Sequence, residues 1–202
     1  MMLDIIIKGG RIADGSGGAI KSGDVGIANR KIVSVGARIT DTAKRVIDAD
    51  GALVTPGFID LHSHYDGQVT WDDKIDPSFS NGVTTAILGN CGVGFAPCRP
   101  GDQDRMIAVM EGVEAIPGIV LKEGVPFDWE TFPEYMNFLD KRRYGLDVGV
   151  LLAHAPLRVY AMGQRAVVHE RATEADLKVM TDALRGAIDA GAFGFSTGRI
   201  EE

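Results

Sequence analysis

The run Gly57-Phe58-Ile59-Asp60-Leu61-His62-Ser63-His64 constrains this chain more than any other, because an apolar strand ends there in two imidazoles. Side chains alternate across a strand, so Asp60, His62 and His64 share one face while Ile59, Leu61 and Ser63 take the other. Two neutral imidazole nitrogens on one face can converge on a single cation, which makes the run half of a metal site. Bare H-x-H pairs also occur as ordinary core or surface residues, so the setting decides.

The setting is a series of apolar strands separated by longer, partly helical connections, the habit of parallel β/α units. Strands are read at Leu53–Leu61, Thr84–Gly89, Asp147–Ala153 and Ala192–Ser196, all aliphatic-rich as burial on both faces requires. His62 and His64, Cys91, His154 and Ser196-Thr197 each follow or close one of these strands. In a parallel barrel such ends open on one rim, where the active site is built. Before the last strand, Thr173 caps a helix with Asp176 three residues on, and Leu177, Met180, Leu184 and Ile188 form its apolar stripe up to a stop at Gly191.

Residues 1–52 read differently. Short β-prone runs at Asp4–Ile7, Asp24–Ile27, Lys31–Val35 and Arg45–Ile47 alternate with glycine-rich turns, which predicts a small antiparallel sheet. Gly9-Gly10 and Gly15-Ser16-Gly17-Gly18 are no phosphate loop, since no lysine follows in Walker order and no G-x-G-x-x-G opens a helix.

Composition excludes several functions. With 28 acidic against 21 basic residues the formal charge is -7, and no basic surplus exists to displace counterions from a nucleic acid. Neither a secretory signal nor a membrane span is read, and a cytoplasmic protein is expected. The two cysteines, Cys91 and Cys98, form no disulfide framework and no C-x-x-C pair, which fits a reducing compartment. Cys98 sits between Pro97 and Pro100 as an inert small residue. The proline-broken connection from Cys91 to Asp140 is long for a barrel loop, and Asp128–Tyr135 leads into a helix docked on the exterior.

The G-F-I-D-x-H-x-H run resembles the first barrel strand of the amidohydrolase superfamily. Gly82-Val83-Thr84-Thr85-Ala86-Ile87-Leu88-Gly89-Asn90-Cys91-Gly92 narrows the likeness to the D-aminoacylase branch, the N-acyl-D-amino-acid deacylases. Similar segments recur at His154-Ala155-Pro156-Leu157-Arg158 and Gly191–Gly198. The resemblance implies an α/β fold: the N-terminal part of a TIM-like (β/α)8 metal-dependent hydrolase barrel, residues 53–202 with about four β/α units, preceded by a small β-sandwich segment over residues 1–52. It implies His62, His64 and Cys91 as metal ligands. Imidazole and thiolate together suit Zn2+ better than Mg2+ or Ca2+.

The implied reaction is hydrolysis of an N-acyl-D-amino acid. Metal-activated hydroxide attacks an amide carbonyl polarised by the same ion. Arg158 is a candidate clamp for the substrate carboxylate, and His154 and Ser196, with Thr197, are candidate substrate contacts; support of the barrel and strand-end capping are the competing roles. Asp60 either orients a ring nitrogen from behind His62 or is satisfied by backbone donors. Asp66 is read as a loop carboxylate and His169 as structural. Related enzymes take further metal-binding histidines from the fifth and sixth strands and a catalytic aspartate from the eighth, so no catalytic residue is identifiable here and the expected aspartate lies beyond residue 202. The chain therefore reads as truncated, with open barrel edges prone to self-association. Alternatives are an inactive barrel fragment needing a partner chain, a hydantoinase-like amidohydrolase, and a Cys91 nucleophile with His154 as its base.

Overall fold

The computed structural model describes residues 2–114 and 116–198. The chain divides into two units, Met1–Gly57 and Phe58–Glu202. In the first, β1 (Leu3–Ile12), β2 (Lys21–Ala28), β3 (Lys31–Gly36) and β4 (Ala43–Asp48) form a sheet in the order β3-β2-β1-β4, with the short β5 (Leu53–Val54) also on β1. The sheet is mixed, not purely antiparallel: β1 pairs antiparallel with β2 but parallel with both β4 and β5. Leu3, Ile6, Ala28 and Ile39 make its small core.

Gly9-Gly10 has a structural purpose. Gly9 is left-handed (φ +65°) where the β1–β2 register shifts, and a side chain at Gly10 would strike Val54. The bulge is held by Asp24, whose Oδ1 accepts the Gly9 N–H (2.9 Å) and whose Oδ2 accepts the Ile39 N–H (2.8 Å). These two donors, Ile39 first, hold the Asp24 carboxyl below the usual carboxylate range. A depressed folded pKa gives stability that is complete above the ordinary carboxylate value and lost as pH falls through the folded one. Amide-exchange protection at Gly9 and Ile39, corrected for intrinsic rates, is therefore expected to hold from neutral pH and drop in acid. Asp24→Asn should weaken it throughout and abolish the acid step; an unchanged pH profile would refute the assignment.

In the second unit, β6 (Phe58–Asp60), β7 (Val83–Leu88), β8 (Asp147–Val150), β9 (Leu152–Ala153) and β10 (Phe195–Ser196) all pair in parallel. β8 and β9 are one strand interrupted at Leu151, whose N–H still reaches Leu88 O (2.9 Å), while Phe193 N–H reaches Val150 O (2.9 Å). The strand order is thus β6-β7-β8/β9-β10.

The predicted first strand, Leu53–Leu61, is split. Pro56 has no N–H to give a ladder, so Leu53–Val54 closes onto the first unit's β1 and Phe58–Asp60 onto β7. The crossover from β6 to β7 contains 3-10 turns at Gln68–Thr70 and Phe79–Asn81 instead of an α-helix. Between β7 and β8 come α1 (Gln103–Glu114), α2 (Gly118–Gly124) and α3 (Phe132–Asp140); between β9 and β10 come α4 (His154–Met162), α5 (Gln164–Val167) and α6 (Glu174–Asp189).

Leu88, Phe95, Met106, Trp129, Phe132 and Leu152 belong to one buried cluster under the sheet. Trp129 enters it because its indole N–H donates to Phe95 O (2.9 Å). α3 starts at a Thr131/Glu134 capping box and α6 at the expected Thr173/Asp176 box. The buried face of α6 is rotated from the predicted one. Met180 and Ala187 are buried with Ala183 and Leu184 packed beside them, whereas Leu177 and Ile188 are exposed. No helix among the described residues is long and apolar enough to cross a membrane.

Candidate metal centre

His62 and His64 leave β6 just beyond its last residue, and Cys91 lies in the turn that leaves β7. Parallel pairing of β6 with β7 brings both exits to the same edge. One ligand atom from each of His62, His64 and Cys91 lies within 4.8 Å of the other two. His62 Nε2 and Cys91 Sγ are hydrogen-bonded at 3.0 Å, and the two imidazole rings stand 5.3 Å apart, tilted by 59°.

Strand alternation does not by itself produce this. The ladder stops at Asp60, after which Leu61 is exposed and Ser63 is buried, its hydroxyl donating to Ile87 O (2.9 Å). The histidines are aimed by side-chain and backbone bonds at the strand end. Asp60 Oδ1 accepts the backbone N–H of His62 (3.1 Å), so this carboxylate acts on His62 through the main chain.

Cys91 is presented by a strained turn. Its own φ is +54°, between Gly89 at +78° and Gly92 at +77°. Asn90 Nδ2 donates to Ile87 O (2.7 Å) and Ser63 O (3.3 Å), and Asp66 Oδ1 accepts the Gly89 N–H (2.8 Å), lacing the turn to the exit of β6. Asp66 is thus a buried support of the site and not an ordinary loop carboxylate. Its place, two residues beyond His64, was the signal in the sequence.

The other candidates divide. Ser196 accepts the Gly92 N–H (3.0 Å) and donates its hydroxyl hydrogen to Gly89 O, so of its two expected roles the bonds to the Cys91 turn correspond to the capping one. Thr197 Oγ1 bonds His154 Nδ1 (3.0 Å). Burial, and after it the Arg158 charge, lowers the His154 pKa and favours neutral imidazole. Arg158 itself donates to Glu170 O (2.8 Å). Cys91 Sγ pairs with His62 Nε2, whereas His154 Nδ1 pairs with Thr197, so the geometry favours the metal cluster over a thiol–His154 dyad. Cys98 is buried, and burial pushes its thiol up to about 12, as an inert core sulfur requires.

Two imidazoles and a thiol form a borderline-soft donor set, and tetrahedral zinc holds such atoms about 3.3–3.6 Å apart. The cluster brackets that spacing, with one pair at 3.0 Å and all three atoms within 4.8 Å, so its donor set and its spacing both suit a zinc ion.

Comparison with known proteins agrees with this geometry. The chain is 32% identical to an N-acyl-D-glutamate deacylase from Alcaligenes xylosoxydans xylosoxydans over 97% of its own length and 37% of the relative's. It superposes on a Bordetella bronchiseptica N-acyl-D-glutamate deacylase complexed with zinc and a phosphonate inhibitor, with a TM-score of 0.78, 33% identity and coverage of 98% of this chain and 39% of the other. A D-aminoacylase described with a binuclear metal centre gives a TM-score of 0.82 at 31% identity, over 97% of this chain and 38% of that one. The chain therefore spans under two fifths of the length of these relatives. A model of the amidohydrolase family matches residues 45–202, which takes in β6 to β10 and every residue of the cluster, and the chain belongs to that family.

Proposed function

We propose that this chain forms the N-terminal part of a zinc-dependent amidohydrolase that cleaves N-acyl-D-amino acids to a carboxylate and a D-amino acid. The convergence of His62, His64 and Cys91 at the end of a parallel sheet carries the reading. The mixed sheet of the first unit contributes to a β-sandwich, and β6 to β10 supply the opening strands of the (β/α)8 barrel. The D configuration and the acyl amino acid class are supported by the relatives' activities.

Bound zinc lowers the pKa of its water toward about 7 and polarises an amide carbonyl. The chain's own residues hold the ion and position the substrate. His62 and His64 offer neutral imidazole nitrogens, Cys91 a thiolate whose charge partly offsets the dication, and Asp60 fixes the His62 backbone. Arg158 keeps further guanidinium N–H groups beyond the one given to Glu170 O, enough to clamp a carboxylate. Neutral His154, held through Nδ1 by Thr197, presents its other nitrogen for a hydrogen bond to the substrate.

The zinc-loaded enzyme of which this chain forms part should turn over N-acyl-D-amino acids in preference to their L enantiomers and lose that turnover to a chelator. Faster hydrolysis of L substrates or cyclic amides would overturn the substrate assignment.

A second reading, in which a partner chain or a second copy completes the barrel, rests on Phe58, Ile59 and Leu61 at one edge of the parallel sheet and Phe193 at the other, exposed at 62–72%. Exposed apolar edges of this kind mark surfaces that pair or associate. Sedimentation decides it: a monomer with N-acyl-D-amino-acid turnover removes this second reading.

A further inference from the structure

We infer that Ser196 is a positioning residue that sets Cys91 for metal binding by clamping both ends of its turn. The inference rests on the metal-centre reading above and extends it to a residue far off in sequence.

A cysteine at φ +54° has no intrinsic preference for that conformation, so the surroundings must impose it. Asp66 and Asn90 tie the turn to the exit of β6, on one side only. On the other side the chain supplies Ser196 from β10. Its Oγ donates to Gly89 O before Cys91 and accepts the Gly92 N–H after it (3.0 Å), so one hydroxyl spans the turn. The backbone beyond Ser196 lies flush against the same turn. A side chain at Gly198 would come within 2.5 Å of Cys91 O, and one at Gly92 within 2.9 Å of Gly198 N.

A hydroxyl is the group this place needs, because the turn offers one acceptor and one donor at its two ends. A carboxylate or an amide nitrogen would leave one of them unmet, and a methyl both. Without the clamp, Gly89 and Gly92 let the turn relax, and the sulfur drifts from the direction of His62 and His64. Support of a ligand from outside the coordination sphere typically changes metal affinity by about 10–100-fold.

Cobalt(II) is the probe, because a thiolate ligand gives a sulfur-to-cobalt charge-transfer absorption. Cys98, buried with its thiol pushed up to about 12, does not compete for that signal. Titrating the chain should give the band in the native protein, a 10- to 100-fold weaker affinity in Ser196→Ala, and near-native affinity in Ser196→Thr, which keeps the hydroxyl. The native chain should also protect the Gly92 amide from hydrogen exchange, a measurement that stands even if Ser196→Ala does not fold.

Native-like cobalt affinity in folded Ser196→Ala, or a Gly92 amide that exchanges as fast as an unbonded one in the native chain, overturns the clamp and leaves the three-ligand centre standing. Absence of any sulfur band in the native protein sinks the metal centre itself, and the clamp with it.

Discussion

Replacing Cys91 with serine is expected to lower zinc affinity by at least about a hundredfold, since loss of a supporting residue alone already costs about 10–100-fold. The sulfur is the softest donor of the three and the only one that brings a negative charge to the ion. Serine keeps the size and the turn but offers a neutral hydroxyl, so the expected loss reports ligation rather than packing. His62→Ala and His64→Ala should fall in the same range, because each leaves two donors. Cys98→Ser should leave the affinity unchanged, as Cys98 is buried in the core cluster and its thiol faces Arg99 O at 3.7 Å. Elemental analysis after dialysis and a chelator-competition titration measure all four. Full zinc occupancy at native affinity in Cys91→Ser would remove sulfur from the ligand set.

The convergence of His62, His64 and Cys91 was legible because each follows an apolar run, and parallel pairing brings such ends together without further information. Legibility failed where hydropathy and packing part company. Leu53–Leu61 reads as one apolar stretch, yet Pro56 interrupts its ladder and the two halves join different sheets. In α6 the stripe Leu177, Met180, Leu184 and Ile188 suggested the buried face, and Met180 and Leu184 do pack on the core, but Leu177 and Ile188 are exposed and Ala187 is fully buried instead. The direction of β1–β4 pairing has no local signal, because a strand's own pattern does not say which way its neighbour runs. Ser196 reads in the sequence as a strand-end hydroxyl, either a substrate contact or a cap, and what the sequence does not show is that its bonds go to the Cys91 turn. Its contacts, Gly89 and Gly92, lie more than a hundred residues earlier, and only the assembled sheet brings them within reach.

Gly89→Ala should be among the most damaging single substitutions in the second unit, destabilising it by about 2–6 kcal/mol. Two causes add. The residue sits at φ +78°, where a side chain costs about 1–3 kcal/mol, and its Cβ would meet Leu151 O at 2.1 Å, an overlap with backbone that costs about a further 1–3 kcal/mol. Gly191→Ala isolates the first cause, because Gly191 is also left-handed (φ +101°) but a Cβ there meets nothing within 4 Å; it should cost about 1–3 kcal/mol alone. Urea unfolding followed by tryptophan fluorescence reads the second unit selectively, since both tryptophans, Trp71 and Trp129, belong to it. Equal losses in the two variants would show that the Leu151 approach is unimportant. A larger loss at Gly89, with weakened cobalt binding in whatever fraction still folds, would mean that one glycine keeps three strand exits in register. Its N–H is held by Asp66 after β6, its Cα rests on Leu151 between β8 and β9, and its carbonyl accepts from Ser196 of β10. A shift at Gly89 therefore moves Cys91 relative to both histidines at once, and stability and metal affinity should fall together.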